Sequence, residues 1–405
     1  MKVFFEEVYL MNKTLLECVM EHSVTIAHAG LGSAGLYQAY ELAAQGYYVH
    51  AYDPNRRRIA AIRSGSLSDP DLCMDQLLLV QRKKKLNIYD DLDEMPDKAD
   101  IVTLSVPSGL ECHVAPDPLL TAGRILADRY SGSGQVWINR STCAPGTTRA
   151  LWRDVKFPNL VFSAERREIG HRERRIPICI ASTTELGSKV ASYLLAPTGS
   201  EIISSDSLET CELSKLLENA YRYMNIAFVN ALSRSIPSDM LRKAIDIAAT
   251  KPFGFMPFYP GAGVGGPYQS GAVRQLISWI GDSESCSVLL MSMALYSEML
   301  HMRVMASRVA ECARSVGARS IHFITVSWRN GVSAATVNDS PRVRIMAELL
   351  QDGWSVSYFD RDVSSLTIDG HELISTELLP EESSYVLVVT PTTTINDQYP
   401  YVYQL

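Results

Sequence analysis

The chain has 405 residues, enough for two or three domains with cores of their own. Its formal net charge of −7 and the lack of any long basic run argue against nucleic acid as a main partner. Hydrophobic residues make up 46% and charged residues 20%, the balance of an ordinary globular chain, and no stretch reaches membrane-span length without charge. Eight cysteines are scattered without a CxxC pair or the Cys/His spacing of a zinc site. That pattern predicts reduced thiols in a cytoplasmic protein and no metal site.

Residues 1–23 interrupt their apolar residues with acids, so they lack a signal peptide's apolar centre and read as a partly helical extension. "VTIAHAGLGSAGLYQAYELAAQGYYVHAYD" follows, from Val24 to Asp53. An apolar strand, the glycines Gly30, Gly32 and Gly35 in G-x-G-x-x-G spacing, a helix and a second strand ending in an acid stand in the order of a dinucleotide site. Gly30 permits the tight turn, Gly32 lets backbone approach a pyrophosphate, and Gly35 lets helix pack on strand. The helix N-terminus offers amide donors to phosphate. Asp53 can accept both ribose hydroxyls, which favours NAD over NADP; Arg56 to Arg58 weaken that preference slightly. "RRR" at 56–58 and "KKK" at 83–85 otherwise read as solvated helix faces.

Strand and helix then alternate. "ADIVTLSVPS" (99–108), "QVWINRSTCAPGTT" and "NLVFSAERRE" each end a strand in polar or turn residues. Ligands in open α/β sheets lie beyond such carboxyl ends. Ser105, Val106, Pro107, Ser141, Thr142, Ala164 and Glu165 thereby outline a cleft, although any one of them alone is an ordinary turn residue. Residues 205–236 carry one long helical pattern without proline, which predicts an inter-domain or dimerising helix. Lys215 and Asn219 lie one turn apart on it, as a candidate site or a solvated flank. "YPGAGVGGPYQSGAV" (259–273) is a glycine loop that ends on Tyr268. From "ARSIHFITVSW" to "YVLVVTP" strands and helices return without a glycine fingerprint, which predicts a smaller second α/β domain. The expected plan is an extension to 23, a Rossmann domain over 24–203, a central helical region over 204–300 and a C-terminal domain over 301–405.

"GLGSAG", "SDPDL", "SVPS", "STCAPGTT", "SAERREIG", "ELSKLLENAYRYMNIAFVN", "PGAGVGG" and "NDSP", in that order, resemble the UDP-glucose/GDP-mannose dehydrogenase family across roughly residues 24 to 365. The resemblance implies an NAD domain, a dimerising helix and a C-terminal sugar-nucleotide domain, with a GDP- or UDP-linked sugar as substrate. That family oxidises a primary alcohol to an acid with two NAD, through a cysteine thioester. Its "PGxGVGG" is followed by His-Cys and, four residues later, Asp. Here Pro267, Tyr268 and Ala272 stand at those places, so the resemblance implies a member without thiol chemistry. A phenol, with a reference pKa of about 10, forms no thioester.

Thr142, Glu165, Lys215 and Asn219 match the family's threonine, glutamate, lysine and asparagine. Val106, Pro107, Ser141 and Thr142, at strand ends, are candidate cofactor contacts. Arg166, Tyr259, Gly263 and Gly265 fall in or beside substrate motifs. Arg329, after Trp328, takes the basic position of the family's "FK", while Asn338 replaces its arginine before "SP". With Tyr268 as a base beside Lys215, three outcomes follow. One is redox-neutral loss of water, as in the 6,8-dehydration of a GDP-octose in antibiotic sugar assembly. The second is two-electron oxidation to a keto or aldehyde sugar. The third is a non-catalytic binder. Tyr268 also reads as a core aromatic with its hydroxyl on a backbone group.

Overall fold

The computed structural model describes residues 15–67, 72–108, 117–130, 134–155, 159–166, 176–195, 201–327, 337, 340–361, 363–377, 385–389 and 402–404. They fall into two compact units. One is Met1–Glu218 with Arg274–Trp279, the other Asn219–Val273 with Ile280–Leu405.

After a helical segment over 15–20 (α1), the first unit alternates strand and helix. Its elements are β1 (Thr25–Ala29), α2 (Ser33–Ala44), β2 (Tyr48–Tyr52), α3 (Arg56–Ser64), α4 (Met74–Arg82), β3 (Leu86–Tyr89), β4 (Ile101–Leu104), α5 (Pro118–Arg129), β5 (Val136–Asn139), α6 (Thr147–Val155), β6 (Asn159–Phe162), β7 (Ile178–Ser182), α7 (Glu185–Leu195) and β8 (Ile202–Ser205). The eight strands form one sheet in the order β3-β2-β1-β4-β5-β6-β7-β8. Every pairing is parallel except β6 with β7. β4, β5 and β6 are buried along their whole length. This is why they read as continuous apolar runs: a parallel sheet has helices on both faces. Ile26, Val49, Ile101, Val136 and Val161 pack on one face with α2, and Val102, Leu104, Trp137, Leu160 and Phe162 on the other. Strand order reverses between β1 and β4, the switch point at which such sheets take their ligand.

α8 (Leu208–Leu232) begins in this unit and ends in the next. The second unit continues with α9 (Ser238–Ala249), α10 (Pro267–Ile280, of which Arg274–Trp279 belong to the first unit), α11 (Cys286–Ser315), β9 (Ser320–Ile324), α12 (Pro341–Gln351), β10 (Ser355–Phe359), β11 (Ser365–Ile368), β12 (His371–Ile374), β13 (Tyr385–Val389) and β14 (Val402–Gln404). A four-stranded parallel sheet runs β10-β9-β13-β14. Val309 and Ala313 of α11 and Ile345, Met346 and Leu349 of α12 bury one face of it against Ile321, Phe323, Val386 and Val388. Proline starts α12, Ser340 caps it, and Gly353 turns the chain at φ +83° into β10. The chain is therefore α/β, with an N-terminal Rossmann unit, a long helix and a smaller Rossmann-like unit.

The expectation of reduced thiols is corrected at one pair. Cys179 on β7 and Cys211 in the first turn of α8 form a disulfide, with their Cα atoms 6.6 Å apart. They lie 32 residues apart and meet only because strand and helix share one core, so no spacing rule reveals them. Among the described residues no helix is long and apolar enough to cross a membrane.

Candidate functional site

In the first unit the glycine turn joins β1 to α2. Gly30 takes φ +94°, and its position presses on the Ser105 backbone at the end of β4. A Cβ on Gly35 would overlap the Gly30 carbonyl oxygen, so helix and strand approach as closely as backbone allows. At Gly32 a Cβ would meet nothing within 4 Å. Open space there, over a helix end that no side chain caps, is a cradle for a phosphate group. Asp53 Oδ2 accepts the Leu31 amide at 2.8 Å and Oδ1 accepts the Asn55 amide at 2.9 Å, which holds the carboxylate beside the turn. These residues fit a dinucleotide: a glycine turn, free helix amides and an acid for the ribose.

The strand ends beside this turn carry the other candidate residues. Ser105 donates to Gln38 Oε1 at 2.5 Å, and Gln38 Nε2 donates to Glu165 Oε2 at 3.3 Å. Arg140, just past β5, pairs with the same oxygen at 3.1 Å, and the Arg166 amide donates to Oε1 at 3.0 Å. Glu165 is thus a largely buried carboxylate whose charge is paired and whose oxygens are both engaged. Glu218 Oε1 meets the Arg166 guanidinium at 2.6 Å and its Oε2 meets Lys215 Nζ at 3.3 Å. The structure therefore joins Glu165, Arg166 and Lys215 in one chain of polar contacts. Asn219 stands one turn beyond Lys215 on α8. Ser141 donates to the Leu104 carbonyl at 3.4 Å, and Ser108 donates to the Thr142 carbonyl at 2.5 Å, so the turns after β4 and β5 are tied together. Val106 is half-buried and Pro107 exposed.

At the turn after β5, Glu212 of α8 is wholly buried and accepts the amides of Gly146 at 2.6 Å and Thr148 at 2.7 Å. Burial pushes its pKa up, against the pull of those hydrogen bonds. The Cys143 thiol lies 3.5 Å from Glu212. Burial first, then the nearby carboxylate, raises that thiol's pKa well above its usual value. Cys143 is a protonated core residue and no nucleophile.

In the second unit the loop 259–266 is held from below. Asn230 of α8 accepts the Gly261 amide at 3.1 Å, and Glu298 of α11 accepts the Val264 amide at 2.9 Å. Asn230 also donates to Glu298 at 2.9 Å, and His301 Nε2 lies 2.7 Å from the Gly261 carbonyl. All three side chains are buried. Gly263, at φ +143°, lies against Pro341 and Met302; Gly265 follows one residue after Val264. Tyr259 is 40% exposed, and its hydroxyl donates to Asp246 of α9 at 2.7 Å. Ala272, at the family's aspartate position, is fully buried. Tyr268 lies in the first turn of α10, and its side chain is outside the described set, as is Arg329.

Sequence reasoning passed over Gln38, Arg140, Glu218, Glu212, Asn230, Glu298 and His301. Gln38 and Arg140 reach Glu165 across 127 and 25 residues, and no local spacing marks them. Glu298 and His301 did carry a signal: two polar residues three apart on the buried side of a Met-rich helix.

Residues 24–160 match the NAD binding domain of the UDP-glucose/GDP-mannose dehydrogenase family, and residues 209–295 match its central domain. The chain belongs to this family. NAD is therefore the cofactor of the first unit, and the glycine turn and Asp53 carry the geometry for it. A UDP-N-acetyl-D-glucosamine 6-dehydrogenase of Pseudomonas aeruginosa is 30% identical over 262 residues, a match that spans 60% of each chain. A UDP-N-acetyl-D-mannosamine dehydrogenase of Methanocaldococcus jannaschii is 25% identical over 82% of this chain and 78% of its own length. The fold is that of a UDP-D-ManNAc dehydrogenase from Pyrococcus horikoshii, with TM-score 0.73 and 22% identity over 90% of this chain and 88% of that one.

Proposed function

We propose that this family member removes a hydride from a hydroxyl-bearing carbon of a GDP- or UDP-linked sugar but does not carry the product to an acid. One observation carries the reading: the loop that should present Cys and Asp presents Pro267-Tyr268 and Ala272. Among the described residues beside these strand ends, Cys143 is buried with its thiol pKa raised and Cys211 is bonded to Cys179, so neither offers a thiolate. Bound NAD supplies a two-electron acceptor and, once reduced, a donor.

Lys215 supplies a positive charge to the alkoxide and then to the carbonyl oxygen, while Glu165, fixed by Arg140 and Gln38, orients the sugar. From its place in the loop sequence alone, Tyr268 is assigned as the base for the proton next to the carbonyl. A β-hydroxyl would leave as water with the proton released by the alcohol, and the α-proton would return to its carbon, while NAD, held by the glycine turn and Asp53, would supply the hydride chemistry. The net change is loss of one water, with no change in NAD. The sugar nucleotides in the names of the relatives support the substrate class.

The test incubates the purified chain with NAD and a panel of GDP- and UDP-sugars, following absorbance of NADH and product mass. A product lighter by one water without accumulating NADH is the expected result. A product two hydrogens lighter with one NADH per turnover assigns a simple dehydrogenase instead. An acid product, with two NADH, overturns the reading of the loop. Tyr268→Phe should lower turnover at least about a hundredfold; near-native turnover removes the phenol from the chemistry.

We also assign the chain to a homodimer through α8 and α11. Tyr221 and Phe228, two turns apart on α8, and Leu289, Leu290, Met293 and Tyr296 on α11 are each more than half exposed. Apolar side chains so placed on two adjoining helices suit a second copy of the same face.

A further inference from the structure

β1 is small or apolar in its centre except for His28, which is 1% exposed. A polar ring in a strand that is buried on both faces needs partners for both nitrogens. Nε2 lies 3.0 Å from the Gly30 carbonyl oxygen, and Nδ1 lies 2.7 Å from Thr103 Oγ1 on β4. A carbonyl only accepts, so Nε2 carries the proton. In the neutral ring Nδ1 then accepts, and the Thr103 hydroxyl donates to it. Thr103 thereby fixes which nitrogen faces the turn.

The Gly30–Leu31 peptide is gripped on both sides. Its carbonyl takes the His28 hydrogen bond, and its N–H donates to Asp53 at 2.8 Å. The next carbonyl, of Leu31, accepts from Arg58 Nε. Glycine at φ +94° has neither a Cβ nor a φ preference to prevent its peptide from turning over. Turned over, the Gly30 carbonyl would face the place where a pyrophosphate must lie and repel it. The bare Cα of Gly35 leaves room for the inward oxygen, which a Cβ there would overlap.

We propose that His28 is a positioning residue for NAD: backed by Thr103, it keeps the Gly30 carbonyl turned into the protein, so that the turn presents amides to the pyrophosphate. The proposal rests on NAD as cofactor of the first unit and does not depend on the sugar, on Tyr268 or on the outcome of the reaction.

The test measures NAD dissociation constants by calorimetry for the native chain and for His28→Val, His28→Gln, Thr103→Val and the His28→Val/Thr103→Val pair, beside each variant's melting temperature without NAD. Removing the donor leaves a buried carbonyl without a partner in the NAD-competent turn, so His28→Val should weaken NAD about tenfold or more. His28→Gln keeps an N–H donor and should stay within about threefold of native. Thr103→Val should weaken NAD about threefold, and the double variant should be no weaker than His28→Val, because Thr103 acts through the ring. Nitrogen NMR of the native ring should show the Nε2–H tautomer at pH 7. His28→Val binding NAD within twofold of native overturns the proposal, even if it melts earlier. If His28→Val does not fold, the glutamine and Thr103 variants decide: glutamine weaker than tenfold, or Thr103→Val without effect, overturns it. Native chain that binds no NAD sinks the cofactor assignment itself, which is a separate and visible failure.

Discussion

At the scale of single residues, buried histidines set an acid limit on the fold: His28 in the first unit, and His322 and His301 in the second, all with pKa values lowered by burial. Burial pulls the His28 ring down to about 4 and the His322 ring down to about 4, from 6.5 in an exposed ring. An unfolded chain takes up these protons near pH 6.5, whereas the folded chain resists them until pH 4. Each histidine therefore contributes stability that is fully present above 6.5 and is lost as pH falls from 6.5 towards 4. For His28 the loss amounts to about 3 kcal/mol at most. Thermal melts between pH 7 and pH 4 should show both transitions moving down. His28→Gln should reduce the pH dependence of the first unit, and His322→Gln that of the second, where His301 keeps a share of it. Parallel slopes in native and variant chains would assign the acid sensitivity to other groups. Residues of this kind mark the limit of what sequence discloses. Gly30, Gly32, Gly35 and Asp53 were legible because a tight turn and a ribose contact depend on local backbone, which spacing records. The role of His28 depends on Thr103, 75 residues away, and only strand order brings the two together.

Among the elements, the glycine loop shows why a chain without the loop cysteine still keeps a tight backbone there. Loop amides that face inward need acceptors, and Asn230 and Glu298 supply them from two long helices. Glu298→Ala leaves the Val264 amide and the Asn230 side-chain amide without their partner, at a cost of roughly 1–3 kcal/mol for each buried group. Hydrogen exchange should therefore speed up at Val264 and Gly261 by at least about tenfold, while amides of β1 and β4 in the other unit keep their native protection. Glu298→Gln keeps one acceptor oxygen and should fall between the two. Unchanged exchange at Val264 in Glu298→Ala would show that the loop holds its own shape. Elements differed in how openly the sequence announced them. β1, β4, β5 and β6 stood out as apolar runs bounded by turns, and α8 as an unbroken helical pattern. α11, 30 residues long, runs through the expected boundary at 300 without a break. Its apolar residues lie on more than one side, some in the core of the second unit and some on its surface, so no single stripe marked it.

Across the whole molecule, α8 and α11 leave a group of apolar side chains in water. Phe228 is 61% exposed, Leu290 61% and Met293 62%, and Tyr221, Leu289 and Tyr296 are open beside them. Burying one such side chain is worth about 1.5–3 kcal/mol, so a self-complementary contact made by this face on two chains is strongly favoured over leaving it in water. The two helices are already fastened to each other through Asn230 and Glu298, and Arg234, in the turn after α8, donates to the Ser297 carbonyl of α11 at 3.0 Å, so the face is rigid before it meets a partner. A rigid face loses little entropy on association. Light scattering should give a mass near twice the 44.9 kDa of one chain. Phe228→Glu with Met293→Glu places two like charges in the centre of that contact, on each copy, and should yield monomer with the circular dichroism of the native fold. Dissociation should leave NAD affinity within about twofold, because the glycine turn, Asp53 and His28 all belong to one unit of one chain. A native chain that is monomeric at micromolar concentration removes the dimer, and a charged variant that stays dimeric moves the contact to another face.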